Sequence, residues 1–157
     1  MVDVLTPEQR RLNMSRIRGR DTKPELLLRR GLHARGLRFR LHRKDLPGCP
    51  DLIFPRFRAV VFVHGCFWHR HACPMFKVPE TRREFWLKKI SQNVKRDRKA
   101  VVALQHKGWR VLTVWECALR GKRRLHLEIV LKKAESFLTG NRRELQVEGA
   151  ECFDGGR

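Results

Sequence analysis

The sequence predicts a small α/β domain in which a mixed sheet is flanked by helices. Short apolar runs of strand length alternate along the chain with longer segments of helical periodicity. Several of the helical segments open with a threonine that is followed three residues later by glutamate or glutamine, which is the pattern of a capping box. A length of 157 residues suits one compact domain built around such a sheet.

Capping boxes predict where three helices begin. The pairs are Thr6 with Gln9, Thr22 with Glu25, and Thr81 with Glu84. We expect the first helix to run to about Arg18, the second to close at Gly36 and the third to end at Gly108. A last helix is predicted over residues 125–138 from the spacing of its apolar side chains.

Four strands are predicted between these helices. Residues 37–41 alternate between apolar and polar side chains, as a half-buried strand does, and residues 51–54 are short and apolar. Residues 59–63 are apolar on both faces, which is typical of a central strand, and residues 109–115 complete the set.

The chain is expected to divide into three parts. A helical N-terminal arm is predicted over residues 1–20, and the main domain over residues 21–138. Residues 139–157 are polar, contain glycines and have no period, so they are predicted to form a flexible tail.

The charge of the chain points to a polyanionic partner. Lysine and arginine number 36 against 16 aspartate and glutamate, which gives a formal charge of +20. Nucleic acid is the expected partner, because each phosphate that the protein neutralises releases counterions. No stretch has the pattern of a signal peptide, a membrane span or an amphipathic anchor, so a cytosolic protein with no membrane partner is expected.

Two cysteines and three histidines crowd the ten positions from His64 to Cys73. Thiolate and imidazole are the ligands that zinc prefers, so Cys66, His71 and Cys73 could bind one ion from a single loop. A closed site needs a fourth ligand, and Cys117 is the best candidate because it follows a predicted strand. The less attractive cysteines are Cys49 and Cys152. Burial of the cysteines as small apolar residues would not explain the histidines beside them.

Asp51 begins one predicted strand and His64 ends the next, so the two are candidates for one site. Asp51 could hold Mg²⁺ with a backbone carbonyl and water, and Glu25 could approach as a second carboxylate. His69 could take a proton from the attacking water, which suits phosphodiester hydrolysis. Other roles stay open: Asp51 as a turn residue, Glu25 as a cap acceptor, and His64 or His69 as the zinc ligand in place of His71.

Seven motifs in register carry a resemblance to a known family. They are Arg20-Asp21-Thr22, Pro47-Gly48-x-Pro50-Asp51, Phe62-x-His64-Gly65-Cys66-Phe67-Trp68-His69, Phe76-Lys77-Val78-Pro79, Phe85-Trp86-Leu87-x-Lys89-Ile90, Asn93-Val94-x-Arg96-Asp97 and Val114-Trp115-Glu116-Cys117-Ala118-Leu119. From about Asn13 to Arg120 the chain resembles the bacterial very short patch repair endonucleases.

The resemblance implies a restriction-endonuclease-like core and an enzyme that nicks DNA just 5′ of the thymine in a T:G mismatch. Such mismatches arise when 5-methylcytosine deaminates. It implies that Asp51 and the carbonyl of Val63 bind catalytic Mg²⁺ and that His69 is the general base. Glu25 and His64 would complete the active site through contacts with water and phosphate.

The resemblance also assigns residues to structural Zn²⁺ and to DNA. The implied zinc ligands are Cys66, His71, Cys73 and Cys117. The implied DNA contacts are an aromatic wedge of Phe67, Trp68 and Trp86, a minor-groove probe at Met14, and base contacts from Lys89 and Asn93. From the residues alone, Trp86 could instead pack in the core and Asn93 could be solvated. Asp97 could orient His69 or pair with arginines.

The expected partner is therefore double-stranded DNA with a T:G mismatch, bound by a monomer in the bacterial cytoplasm and hence at the nucleoid. A functional link to mismatch-repair proteins is also considered. Two alternatives remain at this point. One is a related nuclease of the same fold with a different damage or site specificity, and the other is an inactive zinc-stabilised DNA-binding module.

Overall fold

The computed structural model describes residues 6–9 and 22–151 of the chain, with residues 7–9 helical. The helices that follow are α1 (Lys23–Ala34), α2 (Arg83–His106), α3 (Glu116–Leu119) and α4 (Leu127–Thr139). The strands are β1 (Arg40–Leu41), β2 (Leu52–Phe54), β3 (Ala59–His64), β4 (Arg110–Trp115) and β5 (Glu144–Val147), and a 3-10 turn spans Pro55–Phe57.

The five strands form one mixed sheet in the order β1-β2-β3-β4-β5. The β1–β2 and β2–β3 pairs are antiparallel, and the β3–β4 and β4–β5 pairs are parallel. Helices α2 and α4 make the two crossovers that parallel strands require. The predicted α/β class with a mixed sheet flanked by helices is confirmed.

The sheet is covered on both faces, which explains why its central strand is apolar throughout. Alternate residues of β3 point to opposite faces: Val61 joins a large core with α1 and α4, and Val60 joins a smaller one with α2. Leu28 of α1 and Leu104 of α2 are fully buried in these two cores. The central strand β3 is therefore held between helices on both faces of the sheet.

The first two predicted helix starts are confirmed. Thr6 and Gln9 bond reciprocally, with the Gln9 N–H donating to Thr6 Oγ1 at 3.1 Å and the Thr6 N–H donating to Gln9 Oε1 at 3.0 Å. Thr22 caps α1, since its hydroxyl oxygen accepts from the N–H of Glu25 at 3.4 Å. The predicted extent to Arg18 lies outside the described residues.

The capping box predicted at Thr81 is wrong. Helix α2 begins at Arg83, and its N-cap is Arg82, which makes no side-chain cap hydrogen bond. Arg82 adopts a left-handed backbone with φ of 57°, and its guanidinium lies 4.5 Å from the centre of the Phe85 ring. The arginine therefore packs on the first turn in place of a threonine cap.

The tail predicted over residues 139–157 is wrong for residues 144–147, which form the edge strand β5. This strand pairs with β4 in parallel, and its Leu145 and Val147 pack against the core on the α4 side. Its other residues, Glu144 and Gln146, are exposed. An edge strand pairs on one side only, so two apolar residues are enough to hold β5 against the core. Its sequence therefore resembles that of a polar tail.

Among residues 6–9 and 22–151, no helix is both long and apolar enough to cross a membrane.

Candidate active site and metal centre

The antiparallel pairing of β2 and β3 brings Asp51 to the end of β3, as the sequence predicted. The Asp51 N–H donates to the Val61 carbonyl at 3.0 Å, which continues the ladder by one residue. The Val63 N–H in turn donates to Asp51 Oδ2 at 2.7 Å. The aspartate is thus an ordered part of the sheet end and not a loose turn residue.

The charged form of the Asp51 carboxylate is unfavourable in its buried position. Burial raises its pKa from 3.8 to about 7, and the nearby Glu25 carboxylate adds to that rise. The Val63 N–H and the Arg29 guanidinium act in the opposite direction and do not compensate. A cation bound here would favour the charged form, so the site has the electrostatic character of a metal site.

Glu25 has a larger role than that of a capping residue. Its N–H meets Thr22, but its buried carboxylate turns inward, where Oε1 lies 2.5 Å from the Arg29 guanidinium and 3.0 Å from Nε2 of His42. The other nitrogen of His42, Nδ1, lies 3.9 Å from Asp51 Oδ1. Donor atoms of Glu25, His42 and Asp51 all lie within 4.8 Å of one another and could hold a metal ion.

His42 is a site residue that the sequence analysis missed. It lies in a basic stretch, and the predicted strand over residues 37–41 stops one position before it. Its backbone φ of 47° is in the left-handed region, which side-chain-bearing residues rarely adopt. An isolated polar residue after a predicted strand gives no signal of such a geometry.

His69 and Asp97 form a hydrogen-bonded pair, with His69 Nδ1 2.6 Å from Asp97 Oδ2. The structure thus contains the hydrogen bond through which Asp97 could orient His69. His64, His69 and Asp97 could also be read as metal ligands. At 2.6 Å, His69 Nδ1 and Asp97 Oδ2 are at hydrogen-bond distance, and we treat them as a hydrogen-bonded pair.

The rings of His64 and His69 are stacked in parallel, with centroids 3.8 Å apart. Burial lowers the pKa of His64 from 6.5 to about 3, and the neighbouring His69 lowers it further, while Asp97 opposes the shift. His64 is consequently a neutral imidazole at physiological pH. Of the two, His69 is the less buried and is the one with a carboxylate partner.

The four residues expected to bind zinc come together. Donor atoms of Cys66, His71, Cys73 and Cys117 lie within 4.8 Å of one another. His71 Nδ1 lies 3.7 Å from Cys66 Sγ and 3.5 Å from Cys117 Sγ. Three thiols and one imidazole are a donor set that suits tetrahedral zinc. Cys49 is exposed, and Cys152 lies outside the described residues.

The buried thiols of this cluster do not ionise readily unless a cation binds to them. Burial raises the pKa of Cys66 and of Cys117 above the ordinary value of a thiol. Metal binding would deprotonate the thiols and release their protons, so metal affinity should rise with pH. The chemistry of the donor set and its burial thus both fit a closed structural metal site.

The segment just after β5 supports this cluster, which the sequence analysis did not foresee. Glu148 Oε2 lies 2.7 Å from His71 Nε2, on the side of the ring that faces away from the sulfurs. The Gly149 N–H donates to Cys117 Sγ at 3.3 Å. A Cβ at Gly149 would lie 2.6 Å from the Cys117 carbonyl oxygen, so only glycine fits that approach.

The three aromatic residues of the expected wedge form one half-buried cluster. Phe67 and Trp68 lie 5.7 and 5.9 Å from the Trp86 ring, measured between centroids. Trp86 belongs to the first turn of α2, whose core residues start only at Ile90. The alternative of Trp86 as a core residue is therefore wrong, since its ring packs against a surface loop.

The expected base-contacting residues lie beside this cluster. Lys89 is exposed, and its Nζ lies 5.6 Å from the centre of the Trp68 ring. Asn93 Nδ2 donates to the Trp68 carbonyl at 3.1 Å, so this amide ties α2 to the aromatic loop in the protein alone. Met14 lies outside the described residues.

A groove of about 650 Å³ connects His64 and His69 to the aromatic cluster. Its lining is Thr22, Lys23, Pro24, Val63, His64, Gly65, Phe67, Trp68, His69, Glu116 and Arg120. The groove places the end of β3, the start of α1 and the aromatic loop around one volume. A chain of phosphates lying in it would meet the histidines and the aromatic rings together.

The sequence was also compared with known proteins. Residues 2–75 match the family described as DNA mismatch endonuclease Vsr. The DNA mismatch endonuclease Vsr of Escherichia coli K12 is 47% identical over 94% of this chain and 95% of its own length. A type II nicking enzyme of Xanthomonas oryzae pv. oryzae is 51% identical over 76% of this chain and 88% of its own. Another type II nicking enzyme, from Neisseria meningitidis serogroup A, is 40% identical over 78% of this chain and 87% of its own length.

Proposed function

Because the chain belongs to the family of the DNA mismatch endonuclease Vsr, we propose that it nicks one strand of mismatched double-stranded DNA. The bond cut is the phosphodiester just 5′ of the thymine in a T:G mismatch left by deamination of 5-methylcytosine. One observation carries this proposal. The Asp51 carboxyl, held by the Val63 N–H, and the paired side chains of His69 and Asp97 meet at the same end of the sheet.

His69 is proposed as the general base. With the Nδ1 proton held by Asp97, the lone pair of Nε2 is left to accept a proton from the attacking water. The water oxygen bonds to phosphorus as that proton moves, and the bond to the leaving oxygen breaks. The Asp97 carboxylate then stabilises the imidazolium of His69, and neutral His64 can hydrogen-bond a phosphate oxygen.

Asp51 and the Val63 carbonyl are proposed to hold Mg²⁺, for which carboxylate and carbonyl oxygens are suitable ligands. When bound, the ion would supply positive charge to the scissile phosphate. Glu25 would act at the same site through water. Asp51 lies directly before β2 and beside the end of the antiparallel strand β3. This arrangement also supports the proposal of a restriction-endonuclease-like core.

The cluster of three cysteines and His71 is proposed to hold structural Zn²⁺. Two of its residues, Cys66 and His71, flank His69 in the same short loop. Fixing the loop at these two points would hold His69 opposite Asp97 and would keep Phe67 and Trp68 at the rim of the groove.

The aromatic cluster is proposed to enter the base stack beside the mismatch. Unstacking a base step costs about a few kcal/mol, and a mismatched step costs less, so insertion would favour the mismatch. Lys89 and Asn93 border the cluster and are proposed to contact the mismatched bases. The arm over residues 1–20, with Met14, is proposed to reach the minor groove.

We further propose that the protein acts as a monomer at the bacterial nucleoid, since one nick requires one active site. A functional link to mismatch-repair proteins is part of the same proposal. It would follow from shared use of mismatched DNA.

The test is a duplex with one T:G pair, labelled at the 5′ end of the thymine strand, beside the same duplex with T:A. A single nick on the T:G duplex with Mg²⁺, and none with EDTA, is expected. Asp51→Ala should bind this duplex without cutting it. The matched control is Asp45→Ala, which removes an exposed aspartate and should cut normally.

The same assay separates the alternatives. Randomised flanks around the T:G pair would reveal a nuclease with another site specificity, because cutting would then follow the flank and not the mismatch. Tight binding with no nick in any flank would leave only an inactive DNA-binding module.

A further inference from the structure

The imidazole of His42 lies between the two carboxylates of the proposed magnesium site. Its Nε2 is 3.0 Å from Glu25 Oε1, and its Nδ1 is 3.9 Å from Asp51 Oδ1. The side chain is 16% exposed, so water competes little for either nitrogen. None of the roles assigned above to Asp51 and Glu25 uses this ring.

Glu25 and Asp51 lie beside different nitrogens of the His42 ring. The Glu25 carboxylate is almost fully buried, and its Oε1 lies 2.5 Å from the Arg29 guanidinium. Nε2 lies on the Glu25 side of the ring, so Nδ1 is the nitrogen that faces Asp51. A carboxylate behind a histidine is the usual support of a metal-bound imidazole.

The backbone of His42 fixes the ring at this place. Its N–H donates to the Asp51 carbonyl at 3.4 Å, so the two residues are joined through the main chain as well. The left-handed φ of 47° is unfavourable for a histidine and persists because the surrounding structure holds it. This turn places the ring beside the other two donor residues of the cluster.

We infer that His42 binds the divalent ion at Asp51 directly through Nδ1, so that the site has a nitrogen ligand and favours Mn²⁺ over Mg²⁺. Ligands at about 2.1 Å from one ion lie at most about 4.2 Å apart. The 3.9 Å between His42 Nδ1 and Asp51 Oδ1 falls within that limit. Mg²⁺ prefers oxygen ligands, whereas Mn²⁺ and later transition metals gain more from imidazole.

This inference rests on the proposed metal site and goes beyond it. An alternative role for His42 is that of a charged partner, in which a protonated ring bridges Glu25 and Asp51 and an arriving ion displaces it. In that case a bound metal would have no nitrogen ligand from His42. If His42 is a ligand, the spectrum of bound Mn²⁺ should show coupling to a nitrogen nucleus. If His42 is a displaced charged partner, it should show none from His42.

The experiment uses the full chain, loaded with one equivalent of Zn²⁺ so that the cysteine cluster is filled, and titrated with Mn²⁺. Pulsed electron paramagnetic resonance of bound Mn²⁺ should show coupling to a nitrogen nucleus. The coupling should vanish in His42→Asn, whose short amide tolerates a left-handed backbone but does not reach the ion. His106→Gln, which changes an exposed histidine at the end of α2, is the matched control and should keep the coupling.

Affinity gives the second readout. In His42→Asn and His42→Gln the dissociation constant of Mn²⁺ should rise on the order of tenfold, while that of Mg²⁺ changes much less. Zinc content and circular dichroism must match those of the native chain, and the two substitutions protect against a folding defect in either one. Asp51→Asn should abolish binding of both ions.

The inference is overturned if native protein shows no nitrogen coupling, or if the coupling survives in His42→Asn and His42→Gln. Failure of Mn²⁺ to bind overturns it as well. These outcomes are independent of the proposed function. Nicking of T:G duplexes with Mg²⁺ but without nitrogen coupling would refute only the inference, and coupling without nicking would refute only the function.

Discussion

Replacing Asp51 with asparagine should stabilise the metal-free fold while it abolishes nicking. The buried carboxylate has a pKa of about 7 against an ordinary value of 3.8, because burial disfavours its charged form. Asparagine is of similar size, and its amide oxygen can still accept the hydrogen bond from the Val63 N–H. The substitution therefore removes the buried charge and keeps the local geometry.

The size and pH range of this effect follow from the two pKa values. The rise of roughly three units corresponds to roughly 4 kcal/mol of unfavourable free energy when Asp51 is ionised. The penalty is absent below the unfolded pKa, grows as the pH rises, and is complete above about pH 7, the folded pKa. The side chain is only 14% exposed, so solvent screening reduces the figure little. Between about pH 5.5 and 7 the gain should grow by about 2 kcal/mol.

The assay is urea denaturation of the zinc-loaded chain in the absence of Mg²⁺, at about pH 5.5 and about pH 8.5. The native protein and Asp51→Asn should differ more at the higher pH, and added Mg²⁺ should stabilise only the native chain. Asp45→Asn is the control, because that exposed carboxylate pairs with Arg43, which lowers its pKa. A stability difference that is the same at both pH values would refute the buried-charge argument.

Three further outcomes are expected. Trp68→Ala should weaken binding to a T:G duplex more than binding to a matched duplex, whereas equal losses in a binding titration would indicate a packing defect. Glu148→Gln should lower zinc affinity about 10- to 100-fold in competition with a chelator, because its carboxylate supports His71 at 2.7 Å; unchanged affinity would contradict that role. Asp97→Asn should reduce the nicking rate about 10²-fold or more at unchanged DNA affinity, because His69 loses its charged partner. A rate near native would show that the pair is not catalytic.

Much of the site could be predicted because its residues lie close together in the sequence. Cys66, His71 and Cys73 share one short loop, so their spacing alone indicates a metal site. Asp51 and His64 lie at the ends of two consecutive strands, which pair as neighbours without any long-range choice. Local patterns of this kind can be recognised in the sequence without knowledge of the tertiary structure.

The residues that were missed depend on contacts between distant segments. Glu148 reaches His71 across 77 positions, and it does so only because β5 pairs with β4 in parallel at the edge of the sheet. His42 meets Glu25 because the backbone turns into a left-handed conformation directly after β1. The residues that form the parallel pair and the turn have compositions that also occur in polar loops, so the sequence does not reveal either feature.

Trp115 explains why these separate features act as one site. It ends β4, and its ring stacks on His71 at 4.3 Å and meets the edge of His64 at 5.4 Å. Its Nε1–H donates to Gln146 of β5 at 3.1 Å, so the same indole is also anchored by the edge strand. The Cys/His cluster and the His64–His69 pair therefore pack against the same indole ring. Because β5 anchors this indole, the strand that the sequence did not reveal is part of the support of His69, the proposed base.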